Sequence, residues 1–149
     1  IAQKQDEIGI RASMAEVEAL IAREVARGIP ASRIFLAGFS QGAAMVLSAG
    51  LRHAQTLAGV IALSGYLPHE QQLAKERSTA NAGLPLFIAH GSVDPVVPQV
   101  LGMLARDFLR SLGHVVEWHS YMMAHQVCAE EIADLRQWIG QRITAIAPD

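Results

Sequence analysis

The serine at position 40 stands in a pattern that suits a nucleophile. The segment Gly38-Phe39-Ser40-Gln41-Gly42 reads Gly-x-Ser-x-Gly, directly after the apolar residues 34–37 and directly before the helix-favouring residues 43–47. The glycines allow a sharp turn between strand and helix, so that the serine hydroxyl projects from the top of a sheet. A serine hydroxyl is a weak nucleophile at neutral pH, and it needs a base, usually a histidine that a carboxylate orients. The pattern therefore indicates nucleophilic catalysis if the chain supplies those two partners.

Both partners follow along the chain in the expected order. Asp94 and His125 each lie in a loop that is predicted to follow a strand, and the order Ser, Asp, His is typical of hydrolases with a strand-turn-helix nucleophile. The motif alone is a weak signal, and this context strengthens it. We therefore predict a triad of Ser40, Asp94 and His125, with the backbone N–H of Gln41 as one donor to an oxyanion.

Other interpretations of these residues remain open. Ser40 could cap the helix that follows it, and Asp94, in an Asp-Pro pair, could be only a turn former. His90 is interpreted as a hydrogen-bonding residue that stabilises the loop containing Asp94. Cys128 lies three residues after His125, but a lone cysteine is more often a small buried hydrophobic residue than a reactive partner.

Strands and helices are predicted to alternate along the chain. Strands are expected within residues 33–38, 57–64, 84–89 and 115–120, and helices from residue 13, over 41–53, in 69–83, around 100–112 and near the C-terminus. Residues 1–12 predict no element. The last helix is expected to present one apolar face, formed by Ile132, Leu135, Ile139, Ile143 and Ile146. The pattern predicts an α/β fold with a mostly parallel sheet covered on both faces, whose sites gather at the C-terminal ends of the strands.

Composition narrows the class of protein. The chain has 149 residues, of which 51% are hydrophobic and 17% charged, so residues 1–149 are expected to form a single domain. A net charge of -2 gives no reason to expect nucleic acid or an anionic membrane as partner, and a small molecule is the expected partner. One cysteine excludes a disulfide framework and a Cys-rich zinc cluster. No apolar run approaches the roughly 18 residues that a transmembrane segment needs.

Four segments in order resemble a known family. They are Gly38-Phe39-Ser40-Gln41-Gly42, Leu63-Ser64-Gly65-Tyr66-Leu67-Pro68, His90-Gly91-Ser92-Val93-Asp94-Pro95-Val96-Val97-Pro98 and Tyr121-Met122-Met123-Ala124-His125-Gln126-Val127. The chain is similar here to bacterial carboxylesterases related to acyl-protein thioesterases and lysophospholipases. The resemblance implies an α/β-hydrolase fold that uses no cofactor and no metal. It also implies cleavage of carboxylic ester or thioester bonds through an acyl-enzyme, with Ser40 as nucleophile, Asp94 as orienting acid and His125 as base.

Two further expectations concern the substrate and one departure from the family. Because they flank the catalytic loops, four residues are expected to line an acyl pocket: Leu67, Val96, Met122 and Met123. Ala124 stands where the family more often has glycine, which matters only if that position needs a positive φ.

The N-terminal part of the chain differs from the family more than Ala124 does. Its members begin with further strands and a His-Gly loop that supplies a second oxyanion donor, and no such segment precedes residue 13. Residues 34–37 have the composition of a central strand, yet here they would form a sheet edge. We therefore expect the C-terminal two thirds of a larger enzyme whose first strands are missing. A cytoplasmic location is expected, although Ile1 in place of methionine leaves a signal peptide open, and a homodimer is compatible with the sequence.

A second hypothesis comes from a different class of function. In it the chain is a catalytically silent binding module of the same fold, and the 38–42 turn with the helix N-terminus behind it holds an anion.

Overall fold

A computed structural model describes the backbone of residues 2–146 and the side chains of residues 6–146; Ile1 and residues 147–149 lie outside this range. The strands are β1 Phe35–Phe39, β2 Gly59–Leu63, β3 Leu86–Gly91 and β4 Val116–Tyr121. The helices are α1 Ala2–Ala26, α2 Gln41–Gly50, α3 Glu70–Glu76, α4 Gln99–Ser111 and α5 Ala129–Ala145, with short 3-10 turns at Ala31–Arg33 and Thr79–Asn81. In this part of the chain no helix combines the length and the apolar composition that crossing a bilayer requires.

The four strands form one parallel sheet in the order β1-β2-β3-β4. Every residue of β2 and β3 is buried. Alternate residues of β2 enter different cores, because successive side chains of a strand point to opposite faces. Val60 and Ala62 pack in the cluster that includes α2 and α4, whereas Ile61 and Leu63 pack with Trp138 of α5. The predicted parallel sheet with helices on both faces is confirmed, and the strands end side by side at one edge.

The strand that precedes Ser40 is less covered than its sequence indicates. Within residues 2–146, β1 pairs only with β2. Leu36 is buried but Ala37 is exposed, so β1 is an edge strand among these residues, as the sequence predicts for residues 34–37, although its composition is that of a central strand. A groove of about 290 Å³ lies beside it, lined by Arg33, Phe35, Ile139, Ile143 and Ile146. Apolar composition alone could not locate this groove, because it depends on what packs next to the strand.

Helix α1 begins much earlier than residue 13. Ile10 and Met14 are buried in a small cluster with Ala44 and Met45 of α2. The guanidinium of Arg11 also lies 3.0 Å from a carboxylate oxygen of Glu76. The absence of a predicted element in residues 1–12 was therefore wrong, because a few widely spaced apolar contacts and ion pairs hold this segment helical without a strong periodic pattern.

The buried face of α5 only partly matches the one that its apolar residues indicate. Trp138 and Glu131 are buried, while Ile132 and Ile143 are exposed. The indole of Trp138 reaches Phe35 and Phe87, with ring centroids 6.0 and 5.7 Å apart. The existence of the helix was predicted correctly, but the expected apolar face only in part. Leu135 and Ile139 pack against the cluster that contains Trp138, whereas Ile132 and Ile143 do not, because the large indole determines which side meets the sheet.

Candidate active site

Ser40, Asp94 and His125 meet at the C-terminal edge of the sheet. The Nε2 atom of His125 lies 3.0 Å from Oγ of Ser40. Its Nδ1 atom lies 2.7 Å from Oδ2 of Asp94. The three side chains that the sequence brings together as candidates thus form one hydrogen-bonded line from carboxylate through imidazole to hydroxyl.

The backbone at Ser40 makes a strained turn. Its φ of 59° and ψ of -121° lie in a region that L residues rarely adopt, at a cost of order 1–3 kcal/mol. A Cβ atom at Gly38 would overlap the carbonyl of Gly42, and one at Gly65 would overlap the side chain of Ala43. Strand and helix therefore approach each other too closely for any side chain at Gly38 or Gly65, and the turn lifts Ser40 above the sheet.

The hydroxyl of Ser40 does not cap α2. Its side chain makes no capping hydrogen bond, while its backbone carbonyl accepts from the N–H of Ala43 at 3.0 Å. Gln41 is the first residue of α2, so its N–H belongs to the first turn, where no intrahelical acceptor exists. The hydroxyl of Ser40 therefore hydrogen-bonds with His125 and not with the helix. The N–H of Gln41 lies at the N-terminal end of α2, directly after Ser40.

Asp94 is held by the turn that it starts. Its Oδ1 atom accepts hydrogen bonds from the N–H groups of Val96 at 2.8 Å and Val97 at 2.9 Å. Burial raises the pKa of Asp94, but the hydrogen bonds from His125 and from these two amides outweigh it and hold the pKa below its ordinary value of 3.8. The carboxylate is therefore ionised at neutral pH. The turn-forming and the orienting interpretations of Asp94 are compatible, because one oxygen serves each.

The loop that carries His125 turns back across the end of β3. The N–H of Ser92 donates to the carbonyl of Tyr121 at 2.8 Å, and that of Val93 donates to the carbonyl of Met123 at 3.2 Å. A Cβ atom at Gly91 would collide with the carbonyls of this returning loop. The absence of a side chain at Gly91 lets the loop cross closely.

The structure adds information on two residues close to the triad in the sequence, Phe39 and Ala124. The ring of Phe39 lies 4.7 Å from that of His125. The sequence did not single out this phenylalanine, although its place inside Gly-x-Ser-x-Gly was a usable signal. Ala124 does not have a positive φ, so the alanine that replaces the family's frequent glycine causes no backbone strain.

The four residues expected to line an acyl pocket divide into two pairs. Val96 and Met122 are 65% and 87% exposed. Leu67 and Met123 are buried, in the clusters on opposite faces of the sheet. Only the first pair is thus accessible on the surface next to Asp94 and His125.

His90 and Cys128 each have an identifiable hydrogen-bond partner. Nε2 of His90 lies 2.8 Å from the carbonyl oxygen of Val97, in line with its interpretation as a loop-stabilising residue. Cys128 is half-buried and caps α5, where its Sγ accepts from the N–H of Glu131 at 3.5 Å. Among the side chains that the structure describes, no group of three or more His, Cys, Asp or Glu residues is arranged to hold a metal ion.

Comparison with known proteins places this geometry in a family. The model of the phospholipase/carboxylesterase family matches residues 1–143. The chain is 40% identical over 148 residues to acyl-protein thioesterase 1 of Neurospora crassa. This alignment covers 97% of this chain and 60% of that protein. It is 34% identical over 142 residues to a probable carboxylesterase of Oryza sativa subsp. japonica, covering 95% of this chain and 53% of that protein.

A solved structure agrees with these relatives. The crystal structure of Arabidopsis thaliana SOBER1 is similar with a TM-score of 0.85 at 28% identity, over 90% of this chain and 64% of that one. The chain spans 60% of the length of the Neurospora relative and 53% of the length of the Oryza relative. With a family match over residues 1–143 and a parallel sheet that places a serine, a histidine and an aspartate in line, the chain belongs to the phospholipase/carboxylesterase family and has the α/β-hydrolase fold.

Proposed function

We propose that this chain carries the nucleophile, base and orienting acid of a serine hydrolase that cleaves carboxylic esters or thioesters. The observation that carries the proposal is the continuous line from Asp94 through His125 to Ser40, with separations of 2.7 and 3.0 Å. The strained backbone of Ser40 supports it, because nucleophiles of such hydrolases sit on a turn of this kind. The relatives that are named acyl-protein thioesterase and carboxylesterase support the same class of reaction.

The chemistry follows from the placement of the atoms. Oγ of Ser40 attacks the acyl carbonyl while Nε2 of His125 takes its proton, and Asp94 stabilises the resulting imidazolium through Nδ1–H. The N–H of Gln41 donates to the oxyanion. His125 then protonates the leaving alcohol or thiol, and a water molecule activated by the same imidazole releases the acid from the acyl-enzyme. Each residue acts as an acid, a base or a nucleophile, and no step calls for a cofactor.

The acyl group is proposed to lie across the exposed pair beside the triad. Val96 and Met122 are accessible there, whereas Leu67 and Met123 are buried. An acyl chain laid on this pair would contact apolar side chains at the point where the carbonyl reaches Ser40. Replacing Met122 by glutamate is expected to raise KM for long-chain esters more than for acetyl esters.

The second oxyanion donor is proposed to come from a segment before residue 1. Two features support this: β1 has a single partner strand within residues 2–146, and the groove of about 290 Å³ next to it is lined mostly by apolar side chains. Such a segment would pair with the free edge of β1 and present an N–H above Ser40. One missing donor costs on the order of 10²-fold or more in rate, so the longer protein is expected to be the more active form. A cytoplasmic enzyme, as a monomer or a homodimer, remains the prediction for the whole protein.

A fluorophosphonate probe tests the proposal, because it reacts covalently with activated serines. The intact protein is expected to be labelled, and Ser40→Ala to abolish labelling. Ser92→Ala is the matched control, since Ser92 is an exposed serine on a neighbouring loop, and it is expected to be labelled as the unmodified protein is.

Two outcomes would contradict the proposal. Labelling that persists in Ser40→Ala would place the nucleophile elsewhere. An intact, folded protein that is not labelled and does not hydrolyse p-nitrophenyl esters, but binds phosphate near the 38–42 turn, would favour the silent anion-binding module instead.

A further inference from the structure

The imidazole of His90 is buried directly behind the carboxylate that orients His125. His90 is the fifth residue of β3, and its side chain is fully buried. Its Nε2 atom lies 2.8 Å from the carbonyl oxygen of Val97 and 3.5 Å from Oδ2 of Asp94. A carbonyl oxygen can only accept, so Nε2 carries a proton and donates it to Val97.

That hydrogen bond closes the turn on which Asp94 sits. Oδ1 of Asp94 accepts hydrogen bonds from the amides of Val96 and Val97. His90 donates to the carbonyl of Val97, which belongs to the same turn. The turn is therefore tied to β3 by a side chain other than His125. The Nε2–H of His90 also places partial positive charge near the same Oδ2 that accepts from His125, which favours one position of the carboxylate.

Helix α4 fixes the position of the His90 ring from behind. A Cβ atom at Gly102 would lie 2.5 Å from Nδ1 of His90 and 3.3 Å from two ring carbons. Nδ1 has no hydrogen-bond partner in the part of the chain that the structure describes. The ring thus packs directly against the backbone of α4, and any side chain at position 102 would have to displace it. Glycine in a helix interior costs about 1 kcal/mol of stability relative to alanine. The close contact with the ring explains why a glycine nevertheless stands at position 102.

We propose that His90 is a positioning residue for the reaction, and that it acts together with Gly102 to hold the Asp94 carboxylate at hydrogen-bond distance from His125. The proposal rests on the proposed function, because it concerns the same triad. His90 touches no substrate in this scheme. It acts through Asp94, and so its loss should lower kcat and leave KM for a small ester nearly unchanged.

Four variants of the intact protein test this. His90→Phe keeps a ring but removes the donor, and kcat for p-nitrophenyl acetate is expected to fall at least about tenfold, since small displacements of a catalytic group have effects of that size. His90→Gln restores an N–H donor and is expected to recover part of that loss. Gly102→Ala moves the ring and is expected to lower kcat several-fold, although alanine is the better helix former. Gly140→Ala in α5 is the matched control, because a Cβ atom there meets nothing within 4 Å, and it should leave kcat unchanged.

A double variant distinguishes positioning from general loosening of the fold. In an Asp94→Asn background, His90→Phe is expected to cause almost no further loss of kcat, because both changes disable the same element. Losses that simply multiply would overturn the inference, as would unchanged kcat in both His90→Phe and Gly102→Ala. If His90→Phe does not fold, Gly102→Ala against Gly140→Ala decides the question alone.

The inference and the proposed function fail in different ways. If Ser40→Ala retains full activity, the proposed function is wrong. If Ser40→Ala is inactive while His90→Phe and Gly102→Ala have the unmodified kcat, only the inference about His90 is wrong.

Discussion

Replacing Glu131 by glutamine should stabilise the protein at pH 8 but much less at pH 5. Glu131 lies in the first turn of α5, where its side chain is fully buried. Neither carboxylate oxygen has a hydrogen-bond partner among the described residues. Burial raises its pKa from the ordinary value of 4.5 to about 7, and the charge of nearby His119 offsets only part of this effect. A neutral acid is therefore favoured in the folded state over a wide pH range.

The size and the sign of the effect follow from linkage between protonation and folding. Since the pKa is higher in the folded than in the unfolded chain, the folded state binds the proton more tightly, and this contribution is fully present below pH 4.5 and is lost as the pH rises through about 7. The difference corresponds to roughly 3 kcal/mol at about 1.4 kcal/mol for each tenfold change in proton affinity. Glutamine does not ionise, so the advantage of Glu131→Gln in the free energy of unfolding should grow by roughly 2–3 kcal/mol between pH 5 and pH 8.

Urea denaturation at pH 5, 6.5 and 8 measures this difference. Glu130→Gln is the control, because Glu130 is exposed in the same helical turn, and removing its charge changes the interaction with the helix N-terminus to a similar extent. The control should change the free energy of unfolding by less than about 1 kcal/mol at every pH. A gain from Glu131→Gln that is the same at pH 5 and pH 8, or no larger than that from Glu130→Gln, would refute the reasoning.

Three other predictions follow from the structure. Asp94→Asn should lower kcat by about 10³- to 10⁴-fold with little change in KM for p-nitrophenyl acetate, and a loss under tenfold in steady-state kinetics would speak against an orienting carboxylate. Gly38→Ala should destabilise the fold by at least about 2 kcal/mol in thermal unfolding, whereas Gly42→Ala, at a position where a Cβ meets nothing within 4 Å, should be neutral or stabilising; equal losses would show that the two glycines of the motif are equivalent. Hydrogen bonds from Gln72, Arg11 and Arg52 lower the pKa of Glu76 to about 2, so its contribution is present above pH 4.5 and is lost as the pH falls toward 2. Glu76→Gln should cost about 1 kcal/mol at pH 7, reduced by partial exposure, and almost nothing near pH 2; a pH-independent cost in urea denaturation would count against this network.

The parallel sheet was predictable because buried parallel strands have a simple signature. β2 and β3 are continuous apolar runs bounded by turn residues, and both are buried throughout. The candidate triad was predictable for a related reason: each member follows a strand, and the C-terminal ends of parallel strands meet at one edge. Position in the chain, together with the Gly-x-Ser-x-Gly motif and the order Ser, Asp, His, therefore indicated Ser40, Asp94 and His125 as candidates.

Other features depend on packing that local sequence does not encode. The isoleucines of α5 formed the more regular stripe, yet Trp138 determines the buried face and leaves Ile132 and Ile143 exposed. Helix α1 starts at Ala2 because of contacts with α2 that are distant in sequence. The contact between His90 and Gly102 was equally hidden, because it joins a strand to a helix twelve positions later through backbone and not through complementary side chains.

Because of the order of the strands, the hydrogen bonds that join Asp94, His125 and Ser40 can form only in the completely folded sheet. Ser40 follows β1 and His125 follows β4, at opposite edges of the sheet, and three strand spacings of about 4.8 Å separate such edges by roughly 14 Å. Their side chains nevertheless lie 3.0 Å apart, because the loop after β4 returns over the end of β3. The line can close only when all four strands have paired and that loop has docked. Reactivity toward a serine-directed probe would then appear in the last step of refolding, well after helical circular dichroism has recovered.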